Sequence, residues 1–132
     1  MKVQYFDLKK KRALISGGAS GIGSSIVEHL CEQGAEVYFF DINKNEAKKT
    51  INKIKKKKFK IPTFVECNVK NIKKYKSLIL NIIKKKGPID ILVNNASNDQ
   101  RHSLENITEK YWDDRMAINL KHYLFAIQAV KK

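Results

Sequence analysis

The chain of 132 residues has little cysteine, proline or arginine, and no long apolar run. Its two cysteines, Cys31 and Cys67, supply neither a disulfide framework nor a metal-ligand cluster, so no metal site is expected. Without about 18 consecutive apolar residues, no segment is long enough to span a bilayer as a helix. The basic residues Lys9, Lys10, Lys11 and Arg12 precede only Ala13, Leu14 and Ile15 before glycines begin, which is too short for a signal-peptide core. A reduced, cytoplasmic, single-domain protein is the expectation. Acidic residues are also scarce: 27 Lys+Arg stand against 13 Asp+Glu, for a formal charge of +14. That excess is almost all lysine, the arginines being Arg12, Arg101 and Arg115. Base readout and bidentate phosphate contacts recruit arginine. Lysine, asparagine and isoleucine are abundant together, as an A+T-rich coding sequence would make them. The charge therefore reads as solvated helix faces with weak attraction to anions, and a basic nucleic-acid-binding protein ranks last among the alternatives.

What the chain does have is alternation. Short apolar runs over 12–16, 36–40, 63–66 and 89–93 read as strands, separated by helical patterns. The first helix carries Ile22, Ile26, Val27, Leu30 and Cys31 on one face and stops at Gly34. Asn43 with Glu46 three residues later reads as a capping box for the second helix. Pro62 bars helix before the third strand. The third helix carries Ile72, Tyr75, Leu78, Ile79, Ile82 and Ile83 and ends at Gly87-Pro88. A polar loop over 94–107 leads to a last helix capped by Thr108, with Trp112, Met116, Leu120, Tyr123, Leu124 and Ile127 expected on its buried stripe. Nearly continuous apolar strands separated by helices imply an α/β, doubly wound parallel sheet of Rossmann-like type. The expected strand order is 3-2-1-4, which puts a ligand crevice above the carboxyl ends of strands one and four.

Both ends of that crevice are marked. Ser16-Gly17-Gly18-Ala19-Ser20-Gly21-Ile22-Gly23 lies between strand one and helix one. Backbone N–H groups at a helix N-terminus, together with the helix dipole, favour a phosphate anion. Glycine is needed there because a Cβ would block the turn or keep a pyrophosphate off the backbone. Asp41 ends the second apolar run, at about the 20-residue spacing of a ribose-binding carboxylate. Such a carboxylate accepts from both ribose hydroxyls and repels a 2′-phosphate. No Lys or Arg lies between Ser16 and Gly23. NAD rather than NADP is the expected cofactor.

These residues together resemble the short-chain dehydrogenase/reductase family. The resemblance rests on the glycine turn, on Asp41, on Asn94-Asn95-Ala96 followed by Ser97 where glycine is usual, and on Asn119 within Ala117-Ile118-Asn119-Leu120. It implies a cofactor-binding set of Gly17, Ser20, Gly21, Ile22, Gly23, Asp41, Ile42, Asn68, Val69, Asn95, Ala96 and Ser97. Asn68 stands where the family has Asp, so the contact to the adenine amine would be uncharged. A narrower resemblance runs through Asn98-Asp99-Gln100-Arg101-His102, Tyr111-Trp112-Asp113-Asp114-Arg115 and Asn119-Leu120-Lys121-His122. It is similar to the NAD-dependent aldose (D-xylose-like) 1-dehydrogenases of that family. It implies oxidation of a sugar C1 hydroxyl to a lactone, with Arg101 and His102 as candidate sugar-binding residues. A structural role is equally open for both, with Arg101 then pairing with Asp99 or Glu105.

Asn119 is the one member of the family's catalytic set present. Its implied role is to bend its helix and order a water relay. The family's Ser and Tyr-x-x-x-Lys follow that point, and here nothing after Asn119 matches them. Tyr5 with Lys9 fits the string but precedes the first strand. Residues 1–132 thus read as the NAD-binding Rossmann part of a longer enzyme, truncated before the later strands and without its C-terminal catalytic part. The alternative is an NAD-binding fragment that turns nothing over. The resemblance implies a homo-oligomer, a tetramer, for the complete protein. An isolated piece would expose strand four at a sheet edge, where aggregation starts.

Overall fold

The computed structural model describes residues 3–131. In chain order the elements are β1 (Arg12–Ser16), α1 (Gly21–Glu32), β2 (Glu36–Asp41), α2 (Lys44–Lys56), β3 (Thr63–Glu66), α3 (Ile72–Lys86), β4 (Ile91–Asn94), α4 (Glu109–Met116), a π-helical turn (Ala117–Lys121) and α5 (His122–Val130). The strands form one parallel sheet in the order β3-β2-β1-β4.

Period-two alternation in β1 and β2 sends side chains to two apolar layers. Ala13, Ile15, Val37 and Phe39 point to one face, where Val27 and Cys31 of α1 and Ala47 and Ile54 of α2 close over them. Leu14, Tyr38 and Phe40 point to the other, covered by Tyr75, Ile79 and Ile82 of α3 and Ala126 and Ala129 of α5. Both thiols are buried, and burial pushes Cys31 up to about 12.

The amino end of the sheet is tied by Arg12. Its guanidinium donates to Glu36 Oε2 (3.1 Å) and to the Pro88 carbonyl (2.8 Å), and its amide donates to Asp90 Oδ2 (2.8 Å). Asp90 is thereby held in a bend, and β4 begins at Ile91, two residues later than the apolar run suggests. The capping box is half formed. Asn43 Oδ1 accepts from the amides of Asn45 and Glu46, both at 3.1 Å, but Glu46 turns to Lys49 and the Asn43 amide goes to Asp41.

The last helix corrects the sequence expectation most. Trp112 (58% exposed), Met116, Leu120, Leu124 (63%) and Ile127 face outward. The face turned inward carries His122, Ala126 and Ala129, with Tyr123 half-buried. Small side chains let α5 lie close on α3 and β4, whereas the bulky stripe has no element of the described residues over it. Periodicity alone cannot choose between two apolar faces of one helix.

Candidate functional site

A cleft of about 680 Å³ opens at the carboxyl ends of β1, β2 and β4. Its first wall is the turn between β1 and α1. Gly17 has φ of +70° and Gly21 of +53°, both in the left-handed region that favours glycine. A Cβ on Gly17 would lie 2.8 Å from Ala96 Cα, and one on Gly23 would run into the Gly17 carbonyl. A Cβ on Gly21 would meet nothing within 4 Å, because that residue fronts open space. Ser24 is the first α1 amide with a helical acceptor, Ser20 O at 3.1 Å. The amides of Gly21, Ile22 and Gly23 precede it at the helix mouth, where orphan donors gather. Gly17, Ser20, Gly21, Ile22 and Gly23 all line the cleft.

Asp41 stands at the tip of β2. Its Oδ2 accepts from the Ala19 amide and its Oδ1 from the Asn43 amide, both at 3.0 Å. The carboxylate is thus aimed by the turn on one side and by its own loop on the other. Each oxygen retains a second lone-pair direction for a ligand hydroxyl. Beside it Ile42 lies exposed in the cleft wall. Lys44, the first residue of α2, is held by Glu66 at 2.9 Å.

The far walls come from the loops after β3 and β4. Asn68 and Val69 line the cleft, and Asn68 Oδ1 accepts from the Lys70 amide at 3.0 Å, which fixes its rotamer. Asn95, Ala96 and Ser97 line it from the β4 side. Asn95 Nδ2 donates to the carbonyls of Ser16 (3.1 Å) and Gly17 (2.9 Å), so one amide braces the glycine turn against β4.

Asn119 lies in the middle of the π-helical turn. Its Oδ1 accepts from the Asn98 amide (2.8 Å) and its Nδ2 donates to the Asn98 carbonyl (3.0 Å). An asparagine that competes for backbone groups thus docks the loop after β4 onto the helix. Arg101 and His102 are exposed and do not line the cleft. His102 stacks on the Tyr111 ring at 4.0 Å, and Tyr111 Oη donates to the Gln100 carbonyl at 2.7 Å. No ion pair joins Arg101 to Asp99 or Glu105 among the described residues. The carboxylate beside this loop belongs to Asp114, whose pKa is lowered by the hydrogen bond from Lys70 at 2.6 Å. That ion pair spans the cleft between the β3 loop and α4. Sequence reasoning missed it, since residues 44 positions apart carry no local signal of contact. Phe40, Cys67, Asn98, Asp99 and Ile118 also line the cleft unanticipated, as neighbours of residues that were singled out.

A model of the short chain dehydrogenase family matches residues 11–132. The D-xylose 1-dehydrogenase of Caulobacter vibrioides is 40% identical over 126 residues, covering 96% of this chain and 49% of that protein. A short chain dehydrogenase from Mycobacterium smegmatis superposes with a TM-score of 0.85 at 26% identity, over 96% of this chain and 53% of that one. A blue fluorescent protein from a metagenomic library, in complex with NADPH, superposes at 0.83 with 28% identity, over 93% of this chain and 51% of that one. The chain spans about half the length of these relatives. It belongs to the short-chain dehydrogenase family.

Proposed function

We propose that the chain is the nucleotide-binding part of an NAD-dependent oxidoreductase whose complete form oxidises a sugar C1 hydroxyl to a lactone. The observation that carries the cofactor reading is the juxtaposition at the cleft of amides at the α1 mouth with the Asp41 carboxylate. The amides of Gly21, Ile22 and Gly23 would take the diphosphate, with the helix dipole behind them. Asp41 would accept from the adenosine ribose and disfavour a 2′-phosphate by like charge. Asn68 and Val69 would border the adenine. Asn95, Ala96 and Ser97 would border the nicotinamide end, where the bound cofactor supplies a hydride acceptor. The open space above Gly21 and the close packing at Gly17 and Gly23 fit such a group.

On this reading Asn119 holds the loop after β4 in place and orders the water relay of the complete enzyme. The Ser and the Tyr-x-x-x-Lys that move the proton in the family would complete the catalytic set in the full enzyme. The sugar reading draws on the D-xylose 1-dehydrogenase likeness and leaves Arg101 and His102 as candidate sugar contacts. The outward stripe of Trp112, Met116, Leu120 and Leu124 supports self-association of the complete protein, for which the family resemblance implies a tetramer.

Calorimetric titration with NAD and NADP tests the cofactor reading. NAD is expected to bind more tightly, and Asp41→Ser to shrink that preference by about ten- to hundredfold, the worth of hydrogen bonds to a charged acceptor. A preference unchanged in Asp41→Ser overturns the assignment of Asp41.

A further inference from the structure

Beneath the cleft floor a buried polar pair joins β1 to α5. Ser16 ends β1 and His122 opens α5, and both are fully buried. Ser16 Oγ lies 3.3 Å from His122 Nε2. The same oxygen lies 3.0 Å from the Asn95 amide nitrogen and 3.1 Å from that of Ala96. Backbone amides only donate, so both lone pairs of the hydroxyl are occupied as acceptors. One proton remains to the hydroxyl; of its two remaining neighbours, Nε2 and the Tyr75 hydroxyl, only Nε2 stands in hydrogen-bond geometry, so the proton points there. Nε2 therefore accepts and carries no hydrogen, and the neutral ring holds its proton on Nδ1. The network, rather than any single distance, sets that tautomer. Nδ1 has no partner in hydrogen-bond geometry, although the carbonyls of Ala117 and Ile118 in the π-helical turn lie near the ring.

We infer that His122, in its Nδ1-protonated neutral form, is a positioning residue for the cleft, accepting the Ser16 proton so that Ser16 holds the amides of Asn95 and Ala96 under the ligand. The inference rests on the reading of the cleft as a nucleotide site. A proton added at Nε2 turns both ring nitrogens into donors. Ser16 would then face three donors with two lone pairs, and one bond of the floor must open. The surroundings already favour the neutral ring. Burial holds the His122 pKa below its ordinary 6.5. From α3, Tyr75 stands ring to ring at 6.0 Å, its hydroxyl on the Ser16 side but outside hydrogen-bond geometry, and pushed up by burial. From α5 itself, Tyr123 lies edge-on at 4.4 Å and gives its hydroxyl to the Ala96 carbonyl at 3.3 Å. β4 brings only the uncharged Asn94, whose Oδ1 is buried without a partner. Cys67, near Tyr75, is a buried thiol pushed up by desolvation.

The sign follows directly. Nucleotide affinity is full above the ordinary imidazole range and falls as the pH drops through the lowered value. Two measurements on the full chain test it. Nitrogen-resolved NMR of the His122 ring at neutral pH is expected to show Nδ1 protonated and Nε2 bare; the reverse tautomer overturns the inference. Calorimetric titration with NAD across the acidic range is expected to weaken by about tenfold per pH unit once below the folded value, the slope of one linked proton. In His122→Gln, whose amide does not titrate there, the slope is expected to vanish while near-UV dichroism stays native. A slope that persists in His122→Gln overturns the inference. Absence of NAD binding at every pH overturns the cofactor reading instead, and the ring tautomer then decides the inference alone, as it does if His122→Gln fails to fold.

Discussion

Residues 11–96 and residues 97–130 hold themselves in place by different means. Up to Ala96 the polar groups around the cleft are bound to nearby backbone: Asp41 to Ala19 and Asn43, Asn95 to Ser16 and Gly17, Ser16 to Asn95 and Ala96. Beyond Ser97 the loop is held by side chains reaching from the helix: Asn119 to Asn98, Tyr111 to the Gln100 carbonyl, and Arg115 to the Gln100 side chain at 3.4 Å. The first region buries most of its large apolar residues, Ile22 and Ile42 at the cleft being exceptions, and the second turns its largest to the outside. The frame around the cleft is thus braced from both sides by the sheet's own loops.

The sharpest way to break that contrast is Gly23→Ala. The added methyl would collide with the Gly17 carbonyl and stand 2.6 Å from Asn95 Nδ2. The turn and its brace must both move, at a cost of about 3 kcal/mol. A lowered melting midpoint and at least about a hundredfold loss in NAD affinity are expected. An unperturbed melt would mean that the frame is not rigid. A smaller effect should follow Asn119→Ala. Losing its two bonds to Asn98 is expected to cost about 1–2 kcal/mol locally. Amide exchange should accelerate at Asn98 and Gln100 but not at Gly17 or Ala96. Equal acceleration in both places would erase the distinction between the regions. The smallest effect is expected from Leu124→Lys. Its stability should stay within about 0.5 kcal/mol, since the side chain is exposed. Self-association, followed by sedimentation, should fall.

The same division governs what was legible in the sequence. The order of the sheet, the glycine turn and the place of Asp41 could be read because each rests on local grammar: an apolar run, a glycine, a carboxylate at a strand tip. Every cofactor-binding candidate named from the sequence lines one cleft. The face of the last helix was not legible, because His122, Ala126 and Ala129 look less like core than Trp112 and Leu124 until α3 and β4 are beside them. The start of β4 was hidden by Arg12, which holds the Asp90 side chain and the Pro88 carbonyl just ahead of the strand from 76–78 positions away. The Lys70–Asp114 pair and the Ser16–His122 pair were missed for the same reason, since partners distant in the chain leave no pattern in it.

The glycines of the first turn differ in what they would tolerate. Gly17, Gly18 and Gly23 are kept small by neighbouring atoms, whereas Gly21 answers only to its torsion, with vacancy where a side chain would go. Asparagine visits that torsion at modest cost. On the proposed reading of the cleft, an exchange there would spare the scaffold and act on how closely an anion can come, which makes Gly21 the dial by which drift or an engineer could retune affinity without rebuilding the protein.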